Sequence, residues 1–280
     1  MEKIAIITDS TCDLPKAEID KYNIKVARLK VKYSDREYTD GIDITPEEIY
    51  ARLDKEIPTT STPTLGEIDN LFKEVIAENY THAIVIPISS GLSGTMNNFR
   101  LVADGYDEIE TFVFDSRALS RAVGFLLTKV GDMIAEGKSF KEITSEIPKL
   151  RENMELYFTV DSLEHLIKGG RIGRISGSLG QLLNLKPIVS MDEEGKYYTV
   201  DKVRGSKQAF NKLVNFGLEQ LNNHKCRIMV MHANVPESAQ KLYDAFKDHP
   251  NLTSIELGTL SAVAGVHSGP TLFAFVYMRE

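Results

Sequence analysis

Residues 83–100, AIVIPISSGLSGTMNNFR, drive an apolar run into a turn of small hydroxylated residues and glycine before an amphipathic stretch begins. The pattern reads as strand, loop, helix. Ala83 to Ile88 is β-branched enough for a buried strand, and Gly91 and Gly94 allow a turn too tight for bulkier residues. Ser89, Ser90, Ser93 and Thr95 crowd the mouth of that turn. In an open α/β sheet, ligands lie beyond the carboxyl ends of the strands, where helix N-termini offer free N–H groups to an anion. Serines capping an ordinary βα turn account for the same residues, so other segments must decide between the two.

The rest of the chain alternates in the same way. Lys3 to Thr8 reads as a first strand, ending in TDSTCDLP, where Asp9, Ser10, Thr11 and Asp13 are read as caps before a helix opened by Pro15. Lys25 to Tyr33 and Arg36 to Thr39 read as short strands, and Thr45 with Glu48 boxes a helix. Thr59, Thr60, Ser61, Thr62 and Thr64 follow on a segment that Pro58 and Pro63 hold extended. Thr64 with Glu67 is a second capping box; the four hydroxyls before it have no capping role and suit either a polar ligand end or a solvated linker. Thr111 to Phe114 is read as a strand, Arg117 to Ala135 as a long helix, and Ser139 with Glu142 as a further box.

Alternation of strands and helices predicts a mostly parallel sheet flanked by helices over residues 1–155. Beyond that point the pattern changes. Strand-like Lys186 to Met191 and Lys196 to Val203 are joined by DEEG as a hairpin, with helices near Ser206 to Leu221 and Pro236 to Lys247. Strands at Arg227 to His232, Ser254 to Leu257 and Leu272 to Tyr277 complete a mixed α/β domain over 156–280. The fold class is therefore α/β in two domains, and 280 residues are enough for both.

A net charge of −7 argues against nucleic acid as a partner, because phosphate neutralisation needs a basic face. No apolar run is long enough to cross a bilayer, and MEKIAIITDS enters a strand with no signal-peptide pattern, so a cytoplasmic location is expected. Cys12 and Cys226 lack metal-ligand spacing. Walker A, dinucleotide-glycine, HExxH and GxSxG patterns are all missing. Against this acidic background KGGRIGRISGSLGQLL stands out, with Lys168, Arg171 and Arg174 among glycines that should turn them outward, toward an acidic protein or a phosphate. His267 in GVHSGP lies between glycines before the last strand, where the imidazole can reach a neighbouring cleft. Arg204 and Lys207, in VRGSKQAF, are a second source of positive charge.

In this order and spacing TDSTCDLP, TTSTPT, SSGLSGT, KGGRIGR, VRGSKQAF and GVHSGP resemble the DegV-like fatty-acid-binding proteins of bacteria, across essentially the whole chain. The resemblance implies a DegV-like fold that holds one long-chain fatty acid in a tunnel, its carboxylate near the domain interface. By motif, Ser61 and Ser93 would be hydroxyl donors, with Thr60 and Thr62 flanking the first; His267 would be a third contact, and Arg204 would help organise that end. The family pattern after the histidine often reads GPG, whereas Thr271 follows Gly269-Pro270 here. The resemblance also implies a carrier rather than an enzyme. It would present the acid to a separate fatty acid kinase for acyl-phosphate formation, a phospholipid precursor step, with transient membrane-surface contact and no cofactor or metal. On that reading Lys168, Arg171 and Arg174 dock the kinase, and reversing both arginines should leave lipid binding intact. The competing reading is a small-molecule kinase or hydrolase using Ser93 or His267, although no residue is placed by sequence as its base.

Overall fold

The computed structural model describes residues 2–175 and 185–280. The later part of the glycine-rich run, 176–183, lies outside the described residues. Strands β1 (Ile4–Asp9), β2 (Lys25–Ala27), β6 (His82–Val85) and β7 (Glu110–Val113) form a parallel sheet in the order β2-β1-β6-β7. Every residue of β1 is buried, as expected for a central strand covered on both faces. A small antiparallel sheet, β4-β3-β5, joins β3 (Lys30–Lys32), β4 (Glu37–Thr39) and β5 (Thr59–Ser61).

The third sheet is mixed and six-stranded: β8 (Met154–Thr159), β9 (Leu185–Met191), β10 (Tyr197–Arg204), β11 (Cys226–His232), β12 (Leu252–Thr259) and β13 (Phe273–Arg279). Its order is β10-β9-β8-β13-β11-β12, so the last of these strands in the chain sits in the middle. Only β11 and β12 run parallel; the other neighbours are antiparallel.

The helices are α1 (Lys16–Lys21), α2 (Pro46–Arg52), α3 (Leu65–Ala77), α4 (Thr95–Ala103), α5 (Arg121–Ala135), α6 (Phe140–Glu152), α7 (Glu164–Lys168), α8 (Ser206–Asn223), α9 (Pro236–Phe246) and α10 (Ala262–Ser268). The three capping boxes expected at Thr45, Thr64 and Ser139 open α2, α3 and α6. Helix α5 is apolar almost all round because it is packed between sheets: one continuous core joins Ile4 and Ile6 of β1, Leu126 and Val130 of α5, and Leu156 and Val276 of the six-stranded sheet.

Three local readings differ from the structure. The stretch Lys25 to Tyr33 is not one run of strand but β2 and β3 in different sheets, broken at Arg28 and Leu29. The hydroxyl-rich segment is strand β5 rather than loop, because its backbone pairs with β3. His267, read only as lying between glycines before the last strand with no helix assigned to it, sits in helix α10, opened by Ser261, whose hydroxyl accepts from Ala264 N.

Candidate functional site: a cavity between the sheets

Alternation along the six-stranded sheet builds an apolar floor. Leu156 and Phe158 of β8 face Val276 and Ala274 of β13, and Met231 of β11 lies opposite Ala274 on its other side. All of these residues line a cavity of about 80 Å3, a narrow bore, together with Ile88, Leu92, Leu119, Leu166, Val263 and Leu272. The same cavity is lined by Thr60, Ser93, Arg171, His267 and Ser268.

These polar residues meet because separate segments are tied together there. Thr60 Oγ1 lies 2.7 Å from His267 Nε2, joining β5 to α10. Arg171 Nε donates to Leu92 O at 3.1 Å, one residue before Ser93, and its Nη1 donates to Gly169 O at 2.7 Å. Ser93 Oγ shares a hydrogen with Thr95 Oγ1 at 2.8 Å. Burial, and then the Arg171 charge, hold the His267 pKa down at about 4, so the imidazole is neutral near pH 7. Its Nδ1 is buried without a partner. The site therefore offers hydroxyls, a neutral imidazole and one guanidinium beside a largely apolar lining, a combination suited to an anionic head on an apolar body.

The residues singled out by sequence divide into two groups. Thr60, Ser93, His267 and Arg171 line the cavity. Ser61 does not: the strand alternation that turns Thr60 inward leaves Ser61 exposed on the opposite face of β5. Thr62 accepts from Asn98 Nδ2 at 3.0 Å instead of lining the bore. Arg204 is exposed at the end of β10, where its N donates to Gln208 Oε1. Lys168 pairs with Glu164 on the surface, and Arg174 pairs with Asp192 and Glu194. Arg171 corrects the expectation that glycines turn all three basic residues outward; two backbone carbonyls draw it in.

Ser89 and Thr271 gain roles their motifs did not specify. Fully buried Ser89 anchors the loop that carries Ser93, and Thr271, at the departure from GPG, accepts from Asp161 N at 3.0 Å through a hydroxyl that glycine lacks. Tyr197, Thr11 and Ser120 also line the cavity and were not singled out for it. Asp9 caps the short 3-10 turn Ser10–Cys12 rather than the helix after Pro15, which has no side-chain cap, and it also accepts from Ile88 N at 2.7 Å, fastening the ends of two neighbouring strands together.

Helix α10, which presents His267, is held at its other end by carboxyls. Asp13 accepts from Ser120 Oγ at 2.5 Å and Ser261 N at 3.0 Å; Asp40 accepts from Ser10 Oγ at 2.6 Å and Val263 N at 3.4 Å. Burial raises their pKa values to about 7 and about 6. A carboxyl whose folded pKa is raised stabilises the fold fully below its unfolded value, and that contribution is lost as pH rises through the folded one. Asp40→Asn should therefore remove roughly 2 to 3 kcal/mol of pH-dependent loss. Urea denaturation of both proteins at pH 5 and pH 8 checks this: the wild type should lose stability relative to the variant at the higher pH, and parallel behaviour would exclude the buried acid as the cause.

Among the described residues no His, Cys, Asp or Glu cluster suits a metal ion, and no helix is long and apolar enough to cross a membrane.

Comparison with known proteins agrees with this architecture. A family model described as "Uncharacterised protein, DegV family" matches residues 3–280. A DegV domain-containing protein of Clostridium acetobutylicum is 46% identical over 280 residues, covering 100% of both chains. The crystal structure of DegV from Bacillus subtilis, described as a fatty acid binding protein, is 29% identical with a TM-score of 0.92 and 100% coverage of both chains. A fatty acid (stearic acid)-binding protein from Eubacterium ventriosum is 25% identical with a TM-score of 0.87, covering 99% of this chain and 98% of its own. A match of sequence and fold along almost the whole length, with the six motifs in order, establishes that this chain belongs to the DegV family.

Proposed function

We propose that this protein binds one long-chain fatty acid in the cavity and presents its carboxylate to a separate fatty acid kinase. The observation that carries the reading is the cavity itself: an apolar bore whose polar lining includes one cation, Arg171, among the described residues. Relatives described as binding fatty acids support it. Burying about sixteen carbons at ~0.8 kcal/mol per methylene offers roughly 12 kcal/mol gross, well above the several kcal/mol needed to desolvate one carboxylate. The tail supplies affinity and the polar residues fix the head.

The hydrogen bonds of the site favour a carrier over a hydrolase. Ser93 Oγ is bonded to Thr95 Oγ1 rather than to a base, and although Thr60 is bonded to His267, the Nδ1 of that imidazole has no partner to orient it as one. We place the division between the two domains just before β8, since that strand already belongs to the six-stranded sheet, so the cavity draws its walls from both. Exposed Lys168 and Arg174 form the face offered to the kinase.

Mass spectrometry of an organic extract tests the reading. Protein purified from a bacterial host should carry about one equivalent of C14 to C18 fatty acid. An extract without fatty acid, and no uptake when it is added, would refute it.

A further inference from the structure

The loop that carries Ser93 is held from outside itself. Its pivot is Ser89, whose N donates to Ala118 O at 2.8 Å and whose carbonyl accepts from Leu92 N at 3.0 Å and Ser93 N at 3.1 Å. The Ser89 hydroxyl accepts from Gly91 N at 3.1 Å and donates to Gly195 O at 2.7 Å. Gly195 belongs to the turn between β9 and β10, more than a hundred residues away along the chain. The fit there is tight enough to demand glycine twice. A Cβ on Gly195, at φ 70°, would run into Ser89 Oγ, and one on Gly91 into the Gly195 carbonyl.

The turn is itself braced. Asp192 Oδ1 accepts from Glu194 N at 3.0 Å and Lys196 N at 2.9 Å, and Gly195 N donates to Asp192 O at 2.9 Å. Arg117 Nη1 reaches Glu193 O at 3.4 Å from the loop before α5. On the outer side Arg174 spans the turn, with Nη1 3.2 Å from Asp192 Oδ2 and Nη2 on the Glu194 carboxylate, while its N donates to Tyr197 O at 2.6 Å. An unbroken series of contacts thus runs from Arg174 through Asp192 and Glu194 to Gly195, then to Ser89 and Ser93.

We propose that the Asp192–Gly195 turn positions the head-group loop, and that Arg174 is a positioning residue for Ser93 because it fixes that turn. The proposal deepens the fatty-acid reading and rests on it for its binding consequences. It assigns Arg174 a task inside the protein that requires no partner. Ser93 is set by the six-stranded sheet as well as by its own loop, so the head-group site exists only when the hairpin is seated.

The test uses Arg174→Gln, a change at an exposed side chain, and Gly195→Ala, with hexadecanoic acid and 1-hexadecanol as probes in the absence of any kinase. Arg174→Gln should weaken acid binding by about five- to tenfold and leave the alcohol unchanged, since only the acid depends on a well-placed donor set. Gly195→Ala should do the same more strongly, and Arg174→Lys should recover part of the loss, since it keeps the charge but not the fork that reaches both carboxylates. Amide exchange at Leu92 and Ser93 in lipid-free protein should accelerate in both the glutamine and alanine variants, because both amides bond to Ser89 O. Equal losses for acid and alcohol, or unchanged exchange at these amides, would overturn the proposal. Faster exchange in the variants, with a wild type that binds neither probe, would support the positioning chain and refute the fatty-acid reading.

Discussion

Arg171→Glu is expected to weaken binding of a sixteen-carbon fatty acid by about 100-fold or more, with the folded structure retained. Breaking one member of a buried charge pair costs about 2 to 5 kcal/mol, and here the replacement also sets two carboxylates against each other. Arg171 is the one cation lining the cavity among the described residues, and His267, neutral near pH 7, cannot take its place. The guanidinium is also aimed: bonds to Leu92 O and Gly169 O hold it between the Ser93 loop and the glycine-rich segment. Arg171→Lys keeps the charge but loses the planar fork, so an intermediate loss is expected. Displacement of a fluorescent fatty-acid analogue, with thermal denaturation as the fold control, measures both variants. Affinity within about threefold of wild type for Arg171→Glu, less than ~1 kcal/mol, would place the anionic head elsewhere. It would also restore the role that sequence assigned to Arg171, docking a partner.

A comparable loss is expected at the other end of the ligand. Ala274 lies between Phe158 and Met231 on adjacent strands, so its small side chain leaves the depression over which a tail can run. Ala274→Phe should fill that depression. If it displaces about four methylenes at ~0.8 kcal/mol each, sixteen-carbon binding falls by roughly 3 kcal/mol, more than 100-fold. Shorter acids, whose tails stop before this strand, should lose much less, shifting the preferred length downward. Affinities across C8 to C18 acids would show the shift. An unchanged length profile would mean that the tail does not cross β13.

What could be read from the chain was what short-range chemistry decides. Thr45 with Glu48, Thr64 with Glu67 and Ser139 with Glu142 each complete a cap within four residues, so sequence located three helix starts. Thr60 and Ser61 show where this stops. A run of hydroxylated residues carries no apolar alternation, so nothing local says which of the two faces inward; pairing with β3 decides it. Helix α10 is short, contains Gly265 and is followed by Gly269-Pro270, which together look like a turn, and Ser261 was its one legible start signal. The direction of Arg171 was not legible because glycine permits either direction, and the carbonyls that capture it come partly from Leu92, 79 positions away. Ser89 was visible as a hydroxyl, but its partner Gly195 lies across 106 positions that no motif spans.

The central place of β13 bears on how this protein is made. Strands β8 and β11 are its neighbours in space, yet β13 is translated after both and after everything between them. During synthesis the two strands hold open edges rich in Val, Met, Phe and Leu, a template for pairing with other chains. Neither edge can close, and the cavity floor cannot be completed, until Phe273–Arg279 has left the ribosome. A product truncated before β13 therefore lacks the central strand of the cavity floor, and its expected fate is aggregation or proteolysis.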